Sequence, residues 1–390
     1  MKFFATCARG LEPILANELR QIGAADVDPG RGGVSFAGDR ATLYKANLWM
    51  RTAVRILQPI LEADVHSPDE LYQAAQTIDW SQYLTLDHTF AVDCNVRDSE
   101  ITHSLFAALR TKDAICDQFV ARCGKRPSVN VEEPMVGLNL HIYRNRAILS
   151  LDSSGASLHK RGYRPILTKA PLNEALAAAL ILRSGWDPQT PFIDPLCGSG
   201  ALPIEAAWIA LKRPPGLTRK RFGFMGWLDY DVALWTEIRD EARRNVLKKL
   251  PAPIVGYDIR KDAIGHSETN ARAAGIGHLL KFERQDVRDL YPGTLFKGAS
   301  SDSRLSSPNP LGKVGTILCN PPYGERIGEE EELDPLYQAI GEVFAEKCKG
   351  WNCCVFTGNA QLGRAIKLRV REVVDLWNGK IPCRLLRYSP

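Results

Sequence analysis

The stretch that decides the fold is Pro191-Phe-Ile-Asp-Pro-Leu-Cys-Gly-Ser-Gly200, a short apolar strand that runs into a glycine-rich turn. A helix with apolar periodicity, residues 202–211, follows directly. From about Pro171 onward, strands and helices alternate, which is typical of a doubly wound α/β domain with a parallel sheet. Glycines in such a turn let backbone N–H groups approach a ligand closely. The sequence therefore predicts a ligand site at the carboxyl end of this strand.

The predicted elements on either side of this stretch form two groups. The N-terminal half is predicted to contain two small α+β units in series, with strands at 3–6, 34–36, 53–60, 89–96, 137–143 and 147–152, and helices at 11–22, 40–49, 68–76 and 104–122. The second half adds helices at 172–183 and 261–274 and strands at 253–258, 281–285, 314–320, 370–377 and 380–388. Asn378-Gly379 between the last two strands is a strong hairpin signal. A parallel sheet that ends in an antiparallel hairpin indicates the methyltransferase variant of the Rossmann-like fold, and residues 298–310 are predicted to be a surface loop.

Composition limits the classes of protein that need consideration. The chain has 390 residues, of which 45% are hydrophobic and 24% charged, as in ordinary globular proteins. It contains no apolar run near the roughly 20 residues that a membrane span requires. Its ten cysteines form no CxxC pair, and the start of the chain does not read as a signal peptide. We therefore expect a cytoplasmic protein of two or three domains, with no bound metal and no membrane partner.

The tetrapeptide Asn320-Pro321-Pro322-Tyr323 follows an apolar strand and carries the chemistry. An amino group conjugated to a flat base is a poor nucleophile, since its lone pair is delocalised into the ring. The Asn320 side-chain oxygen and the Pro321 carbonyl can accept both N–H groups and turn the lone pair toward a methyl donor. The prolines stiffen the turn and remove competing donors, and Tyr323 offers a face for an extruded base. This pattern predicts methylation of an exocyclic amine.

Acidic residues at three predicted strand ends fit the methyl donor, S-adenosylmethionine. The turn lacks both the GxGxxG spacing of nicotinamide enzymes and the lysine of a phosphate-binding loop. Asp194 would lie near the ammonium group, Asp258 would accept from the ribose hydroxyls, and Asp286 from the adenine amino group. Asp258 comes 58 positions after Gly200, against about 20 in a simple dinucleotide unit. The basic, aromatic insertion of residues 212–245 accounts for the excess.

Taken together, the motifs 194–200 and 320–326 resemble those of the THUMP-containing RNA guanine-N2 methyltransferases, and most closely the branch that acts on large-subunit 23S ribosomal RNA. Supporting stretches are Thr6-Cys-Ala-Arg-Gly-Leu-Glu12, Gly32-Gly-Val-Ser-Phe36 and Leu158-His-Lys-Arg-Gly-Tyr-Arg164. The resemblance covers essentially the whole chain. It implies a ferredoxin-like part at 1–45, a THUMP RNA-binding domain at 46–157 and a methyltransferase domain at 158–390. In some bacteria such enzymes are fused to a second methyltransferase; because this chain ends at Pro390, we expect only the N2-type activity.

The resemblance also assigns roles to residues of this chain. The catalytic set would be Asn320, Pro321, Pro322 and Tyr323. The cofactor would be held by Asp194, Pro195, Cys197, Gly198, Ser199, Gly200, Asp258, Asp286 and Asn320. The resemblance also favours RNA contacts by Arg161 and Arg164. Independently of the resemblance, the basic cluster Arg219, Lys220 and Arg221 is interleaved with Phe222, Phe224 and Trp227, and cations with aromatic rings can bind phosphates and stack on unpaired bases.

Other functions share parts of this pattern. The same fold could methylate adenine N6 in DNA, a glutamine side chain in protein, or a guanine in transfer RNA. A non-catalytic RNA-binding assembly factor could keep the fold as a scaffold, although it would need neither Asn320-Pro-Pro-Tyr323 nor the glycine-rich turn. The composition of the N-terminal half favours RNA over DNA.

Overall fold

The chain is described here by a computed structural model that covers residues 1–165, 172–296, 314–324 and 329–390. Contacts between residues divide it into two compact units. The first contains Met1–Cys7, Leu15–Lys160 and Arg219–Glu241, and the second contains Ala8–Ile14, Arg161–Thr218 and Ala242–Pro390. None of the helices in the described ranges is long and apolar enough to cross a membrane. The loop predicted at 298–310 lies outside the described residues.

The first unit is built on an eight-stranded sheet. Its strands are β1 (Lys2–Cys7), β2 (Ala25–Gly30), β3 (Gly33–Ala37), β4 (Ala53–Asp64), β5 (Thr89–Arg97), β6 (Ser128–Val129), β7 (Val136–Tyr143) and β8 (Arg146–Asp152). They are arranged in the order β2-β3-β1-β4-β8-β7-β5-β6. The pairs β5–β6 and β5–β7 are parallel, and the other pairs are antiparallel. The helices of this half are α1 (Glu12–Gln21), α2 (Arg40–Trp49), α3 (Pro68–Gln76) and α4 (Ser104–Cys123).

Local capping explains where these helices begin and end. The Asp39 side chain accepts from the Thr42 N–H, which starts α2 at the predicted residue. Ser67 caps α3 in the same way, with Pro68 in the first turn. α4 ends at Gly124, whose φ of +70° favours glycine. The predicted helices 40–49 and 68–76 are therefore confirmed, whereas β2 was not predicted because its side chains are mostly exposed and show no clear alternation.

The boundary predicted at 45/46 does not separate two sheets. β4, which begins eight residues later, pairs with β1 on one side and with β8 on the other. The ferredoxin-like part and the following α+β group thus share one continuous sheet. The core around β5 and β7 includes the fully buried side chains of Trp80, Phe90 and Ile115. This shared sheet makes the N-terminal half one structural unit.

The aromatic insertion packs into the first unit instead of presenting its rings to solvent. The rings of Phe222 and Phe224 are stacked at 5.3 Å, and both contact Trp235. Tyr44 from α2 lies 4.4 Å from the Phe224 ring, and Phe222 and Phe224 are fully buried. These two rings therefore form core and are not available to stack on RNA bases, because together they bury a large apolar area.

The second unit is a doubly wound α/β domain, as the alternation of elements predicts. Its seven strands are β9 (Phe192–Asp194), β10 (Ile254–Asp258), β11 (Lys281–Arg284), β12 (Thr316–Cys319), β13 (Asn352–Thr357), β14 (Glu372–Asn378) and β15 (Ile381–Tyr388). Their order is β11-β10-β9-β12-β13-β15-β14. The five strands from β9 to β13 are parallel, and the hairpin β14–β15 is antiparallel. The helices of this unit are α5 (Glu174–Ser184), α6 (Ala201–Ala210), α8 (Lys261–Ala273), α9 (Glu329–Lys347) and α10 (Ala360–Ala365), whereas α7 (Val232–Arg244) lies mostly in the first unit.

The strand order places a topological switch point between β9 and β12. From β9 the chain winds outward through β10 to β11, and from β12 it winds the other way through β13. In open α/β sheets, ligands bind in the crevice outside the carboxyl ends of the strands at such a point. Asp194 ends β9, and Asn320 directly follows β12. The two motifs singled out from the sequence therefore flank this crevice.

Candidate active site

The glycine-rich turn after β9 is fixed to the neighbouring strand by its own backbone. The Cys197 N–H donates to the Tyr257 carbonyl (2.8 Å), and the Gly198 N–H donates to Asp258 Oδ2 (3.0 Å). Gly198 and Gly200 have φ values of +54° and +82°, which glycine adopts without steric cost. A Cβ on Gly198 would meet no atom within 4 Å. At Gly198 the turn therefore presents bare backbone to open space, whereas a Cβ on Gly200 would lie 3.2 Å from Ser267 Cβ.

Side chains from outside the predicted motif also hold this turn. Ser267 Oγ donates to the Gly198 carbonyl (2.9 Å), and Asn270 Nδ2 donates to the Ser199 carbonyl (3.0 Å). Both residues lie on α8. Arg164 Nη2 donates to Ser199 Oγ (2.9 Å). Sequence reasoning missed Ser267 and Asn270, since a single polar residue on a helix gives no signal of the loop that it contacts.

Asp194 is a buried carboxyl group at the centre of the crevice. It is 2% exposed, and its Oδ1 accepts from the Leu196 N–H (3.1 Å). Burial raises the pKa of Asp194 well above its ordinary value of 3.8, and the nearby Asp258 carboxylate raises it further. A cation bound beside this carboxyl group would relieve the cost of ionising it.

Asp258 and Asp286 lie at the next two strand ends, as predicted. Asp258 Oδ1 accepts from the Arg260 N–H (2.9 Å), while Oδ2 accepts from Gly198 as described above. A carboxylate has about four lone-pair positions, so two remain for a ligand hydroxyl group. Asp286 accepts from the Arg288 N–H and pairs with its guanidinium (3.0 Å). Its side chain is 24% exposed.

Asn320 carries an unsatisfied acceptor. Its Oδ1 is buried and has no hydrogen-bond partner among the residues that the structure describes. A buried acceptor without a partner costs about 1–3 kcal/mol. A ligand N–H group that donates to this oxygen would therefore bind favourably. Pro321 is buried and Pro322 exposed, and neither has a backbone N–H. The turn thus offers oxygen acceptors, and its two prolines add no competing donor.

Tyr323 is held in place by the end of the sheet next to it. Its hydroxyl accepts from Asn378 Nδ2 (2.8 Å), at the tip of the C-terminal hairpin. The ring lies against Gly358, where an added Cβ would sit 2.9 Å from Tyr323 Cδ2. Gly358 and Asn378 are further site residues that sequence reasoning did not identify. Asn378 was interpreted only as part of a turn, and Gly358 stands in no recognisable motif.

Three of the five residues predicted to contact RNA are engaged inside the protein. Arg161 is 1% exposed and lies 3.5 Å from Glu205 Oε1. The Arg164 side chain is 4% exposed and lies 3.6 Å from Glu174. The RNA contact predicted for Arg161 and Arg164 is therefore wrong for this structure. A planar guanidinium can join several internal acceptors.

Arg219 is likewise bound internally, to the backbone carbonyls of Ser154, Ala156 and Ser157 (2.6–3.1 Å). Its side chain is only half-buried, so an RNA contact by Arg219 stays a prediction. Lys220 and Arg221 are exposed, although Arg221 also donates to the Pro134 carbonyl (3.3 Å). Of the predicted basic cluster, these two side chains remain on the surface.

The fold and the site together define the class of protein: a methyltransferase with a Rossmann-like domain, preceded by an α+β module. Comparison with families of known proteins agrees. Residues 161–387 match the family described as the RMKL-like methyltransferase domain. Residues 2–57 match the RlmL ferredoxin-like domain, and residues 65–152 match the THUMP domain. The chain belongs to the RMKL-like methyltransferase family.

Individual relatives support the same assignment. The ribosomal RNA large subunit methyltransferase K/L of Syntrophotalea carbinolica is 45% identical over 396 residues, which cover 100% of this chain and 53% of that protein. A Synechocystis protein named as an RNA methyltransferase, slr0064, is 40% identical over 387 residues, with 99% of this chain and 96% of that protein covered. The chain thus spans about half the length of the K/L relatives and nearly all of the cyanobacterial one.

Solved structures match over the full chain. SMU.472 complexed with SAH superposes with a TM-score of 0.87 at 30% identity and covers 100% of this chain and 97% of that chain. A Listeria monocytogenes protein, named a predicted N6-adenine-specific DNA methylase, gives a TM-score of 0.86 at 31% identity, with 100% and 96% covered. The predicted fold class is confirmed by these matches.

Proposed function

We propose that this chain transfers a methyl group from S-adenosylmethionine to the exocyclic N2 amine of a guanine in 23S ribosomal RNA, in the cytoplasm. The observation that carries the proposal is the unpartnered Oδ1 of Asn320 at the switch point. Two acceptors in a turn whose prolines lack N–H groups suit an amine with two N–H donors. The name of the K/L relative favours ribosomal RNA as the substrate.

The cofactor would occupy the crevice beside the turn after β9. The open space at Gly198 and the two lone-pair positions left on Asp258 fit a nucleoside with free ribose hydroxyls. Asp194 would lie near its amino-acid end, and Asp286 near the base. Pro195, Cys197, Ser199, Gly200 and Asn320 would line the rest of the site. When bound, S-adenosylmethionine supplies an electrophilic methyl group.

The protein's own residues contribute orientation. Asn320 Oδ1 and the Pro321 carbonyl accept the two N–H groups of the amine and turn its lone pair toward the donor. Their hydrogen bonds strengthen as the amine becomes cationic, which stabilises the transition state more than the ground state. Tyr323 offers a ring face to the extruded guanine, whose unstacking costs a few kcal/mol. The surplus proton leaves through Asn320 or Pro321 to water.

Transfer of a tritiated methyl group tests the proposal. Protein-free 23S ribosomal RNA, transfer RNA and duplex DNA serve as substrates, and mass spectrometry identifies the methylated nucleoside. We expect N2-methylguanosine in the ribosomal RNA alone. N2-methylguanosine in transfer RNA would contradict ribosomal RNA as the substrate. N6-methyladenine in DNA would contradict both guanine as the target base and RNA as the substrate. If no methyl group is transferred and calorimetry detects no binding of S-adenosylmethionine, the alternative of a non-catalytic RNA-binding assembly factor is favoured.

A further inference from the structure

The C-terminal segment of the chain is strongly basic. Residues 360–390 hold seven Lys or Arg residues against two Asp or Glu residues, a net charge of +5, which equals the net charge of the whole chain. This segment comprises α10, the hairpin β14–β15 and the residues that join them. Such a concentration of positive charge in 31 residues is the electrostatic footprint of a polyanion site.

A cavity of about 590 Å³ lies within this segment. Its walls come from the end of β13, from α10 and from the hairpin, and it is called here the hairpin cavity. Gly358, Arg364, Val373, Trp377 and Arg384 are among the residues that line it. The volume falls in the range of about 300–1,000 Å³ that sites for small organic ligands occupy. It combines an indole ring and aliphatic side chains with guanidinium groups.

Two cations at or beside the hairpin cavity are available to a ligand: Arg364 lines it, and Lys367 lies three residues further along the chain. Arg384 pairs with Asp375 (3.1 Å) and Arg387 with Glu372 (2.5 Å), so the two acidic residues of the segment are already neutralised. Arg364 and Lys367 are exposed and form no ion pair with any side chain within the described ranges. Their charge is therefore free to meet a phosphate group.

The hairpin cavity adjoins the base site at Tyr323. Gly358 lines the cavity and also supports the Tyr323 ring, which would meet a Cβ at 2.9 Å. Asn378, which donates to the Tyr323 hydroxyl, directly follows Trp377 of the cavity wall. A base stacked on Tyr323 would thus have the cavity beside it. The distance from one nucleotide to the next in a single strand is short enough for a neighbour to enter.

We propose that the hairpin cavity binds a nucleotide adjoining the target guanine in the single-stranded RNA substrate. This inference rests on the proposed function and adds a subsite to it. The base would contact Trp377, whose ring also packs against the Arg9 guanidinium, 4.2 Å from the ring centroid. Arg364 and Lys367 would contact the phosphates. An aromatic platform flanked by cations is the common way to bind unpaired nucleotides.

Fluorescence anisotropy with a labelled single-stranded RNA 12-mer tests the subsite. The variant Arg364→Gln/Lys367→Gln is compared with Lys248→Gln/Lys249→Gln, which removes the same charge from exposed lysines outside the cavity lining. We expect the first variant to bind on the order of tenfold more weakly at 50 mM salt, with a salt slope lower by about 1.4, as for two lost phosphate contacts. The control should bind within twofold of the wild type. Ultraviolet crosslinking should attach the 12-mer to Trp377.

Other outcomes would overturn the subsite. Equal weakening by both variants would mean non-specific charge attraction, and unchanged binding by the cavity variant would remove the phosphate contacts. Duplex DNA is added as a competitor at the same concentration as the 12-mer. If it abolishes the crosslink to Trp377, single-stranded RNA is not the preferred occupant of the cavity. Methyl transfer by the wild type is measured separately. If binding of the 12-mer depends on Arg364 and Lys367 but the wild type transfers no methyl group to ribosomal RNA, the proposed function alone is contradicted. Normal transfer with cavity-independent binding would contradict the subsite alone.

Discussion

The turn after β9 and the turn after β12 flank the same crevice but differ in how their polar groups are satisfied. In the first, residues 194–200 are tied down by Arg164, Ser267, Asn270 and Asp258. In the second, Asn320 keeps a buried oxygen with no partner in the described part of the chain. The first turn is preorganised as a rigid cradle, whereas the second stores an unmet hydrogen bond. The first turn therefore suits binding of the methyl donor, and the second suits orientation of the amine that receives the methyl group.

The largest effect should come from removing that unmet acceptor. Asn320→Ala deletes the oxygen that orients the amine, and we expect methyl transfer at saturating substrates to fall by about 10²–10³, as when one oriented hydrogen-bonding group is lost from an active site. Binding of S-adenosylhomocysteine, measured by calorimetry, should stay within a few-fold. Asn245→Ala, at an exposed position, is the matched control. Full turnover in a folded Asn320→Ala protein would refute the mechanism.

The next effect concerns the first turn and its buried carboxyl group. Asp194→Asn keeps an acceptor for the Leu196 N–H but removes the negative charge, so cofactor binding should weaken by about 10-fold to 100-fold, since a hydrogen bond to a charged group contributes about 1.5–3 kcal/mol. The ligand-free variant should be more stable than the wild type. Calorimetry measures the first quantity and thermal unfolding the second.

The pH dependence of that stability has a definite sign. Because the pKa of Asp194 is raised in the folded state, the unfolded chain loses this proton at lower pH than the folded one. The wild type therefore loses stability as the pH rises above about 3.8, until the folded-state pKa is passed. The Tm advantage of Asp194→Asn should thus be small near pH 4 and larger at pH 8. An advantage that shrinks with pH would contradict a raised pKa.

The two turns also differ in what the sequence could predict. Both motifs, and the three acids at successive strand ends, were identified because strand periodicity and turn residues are local signals. The partners Ser267, Asn270 and Asn378 lie 69, 71 and 55 positions from the residues that they contact. Gly358 directly follows β13, and only the fold brings these four residues near the two turns. Arg161 and Arg164 were assigned to RNA from the family resemblance, yet both side chains are buried in this structure. A sequence cannot show that internal carbonyls and carboxylates surround a guanidinium.

A smaller effect should follow from crowding the second turn at Gly358. In Gly358→Ala the new methyl group would overlap the Tyr323 ring, since Cδ2 lies 2.9 Å from the added Cβ. We expect about a tenfold loss in kcat/KM for RNA with unchanged cofactor binding, as a modest misplacement of a positioning group costs at least this much. Gly265→Ala is the matched control, because a Cβ there meets no atom within 4 Å on helix α8. Equal activity of the two variants would mean that Tyr323 needs no fixed position.

The smallest effect should come from the hydroxyl group of Tyr323. Tyr323→Phe keeps the stacking face and removes the hydroxyl group, which accepts from Asn378 Nδ2 and also hydrogen-bonds the Cys383 thiol. A hydrogen bond of this kind contributes about 0.5–1.5 kcal/mol, so kcat/KM for RNA should fall by about twofold to tenfold. Tyr323→Leu, which removes the ring, should cost clearly more, because base stacking on an aromatic side chain is worth about 1–3 kcal/mol. Equal losses in the two variants would show that the hydroxyl, and not the ring, is what the substrate needs; the second turn would then act through its tie to the hairpin, and its contrast with the rigid first turn would disappear.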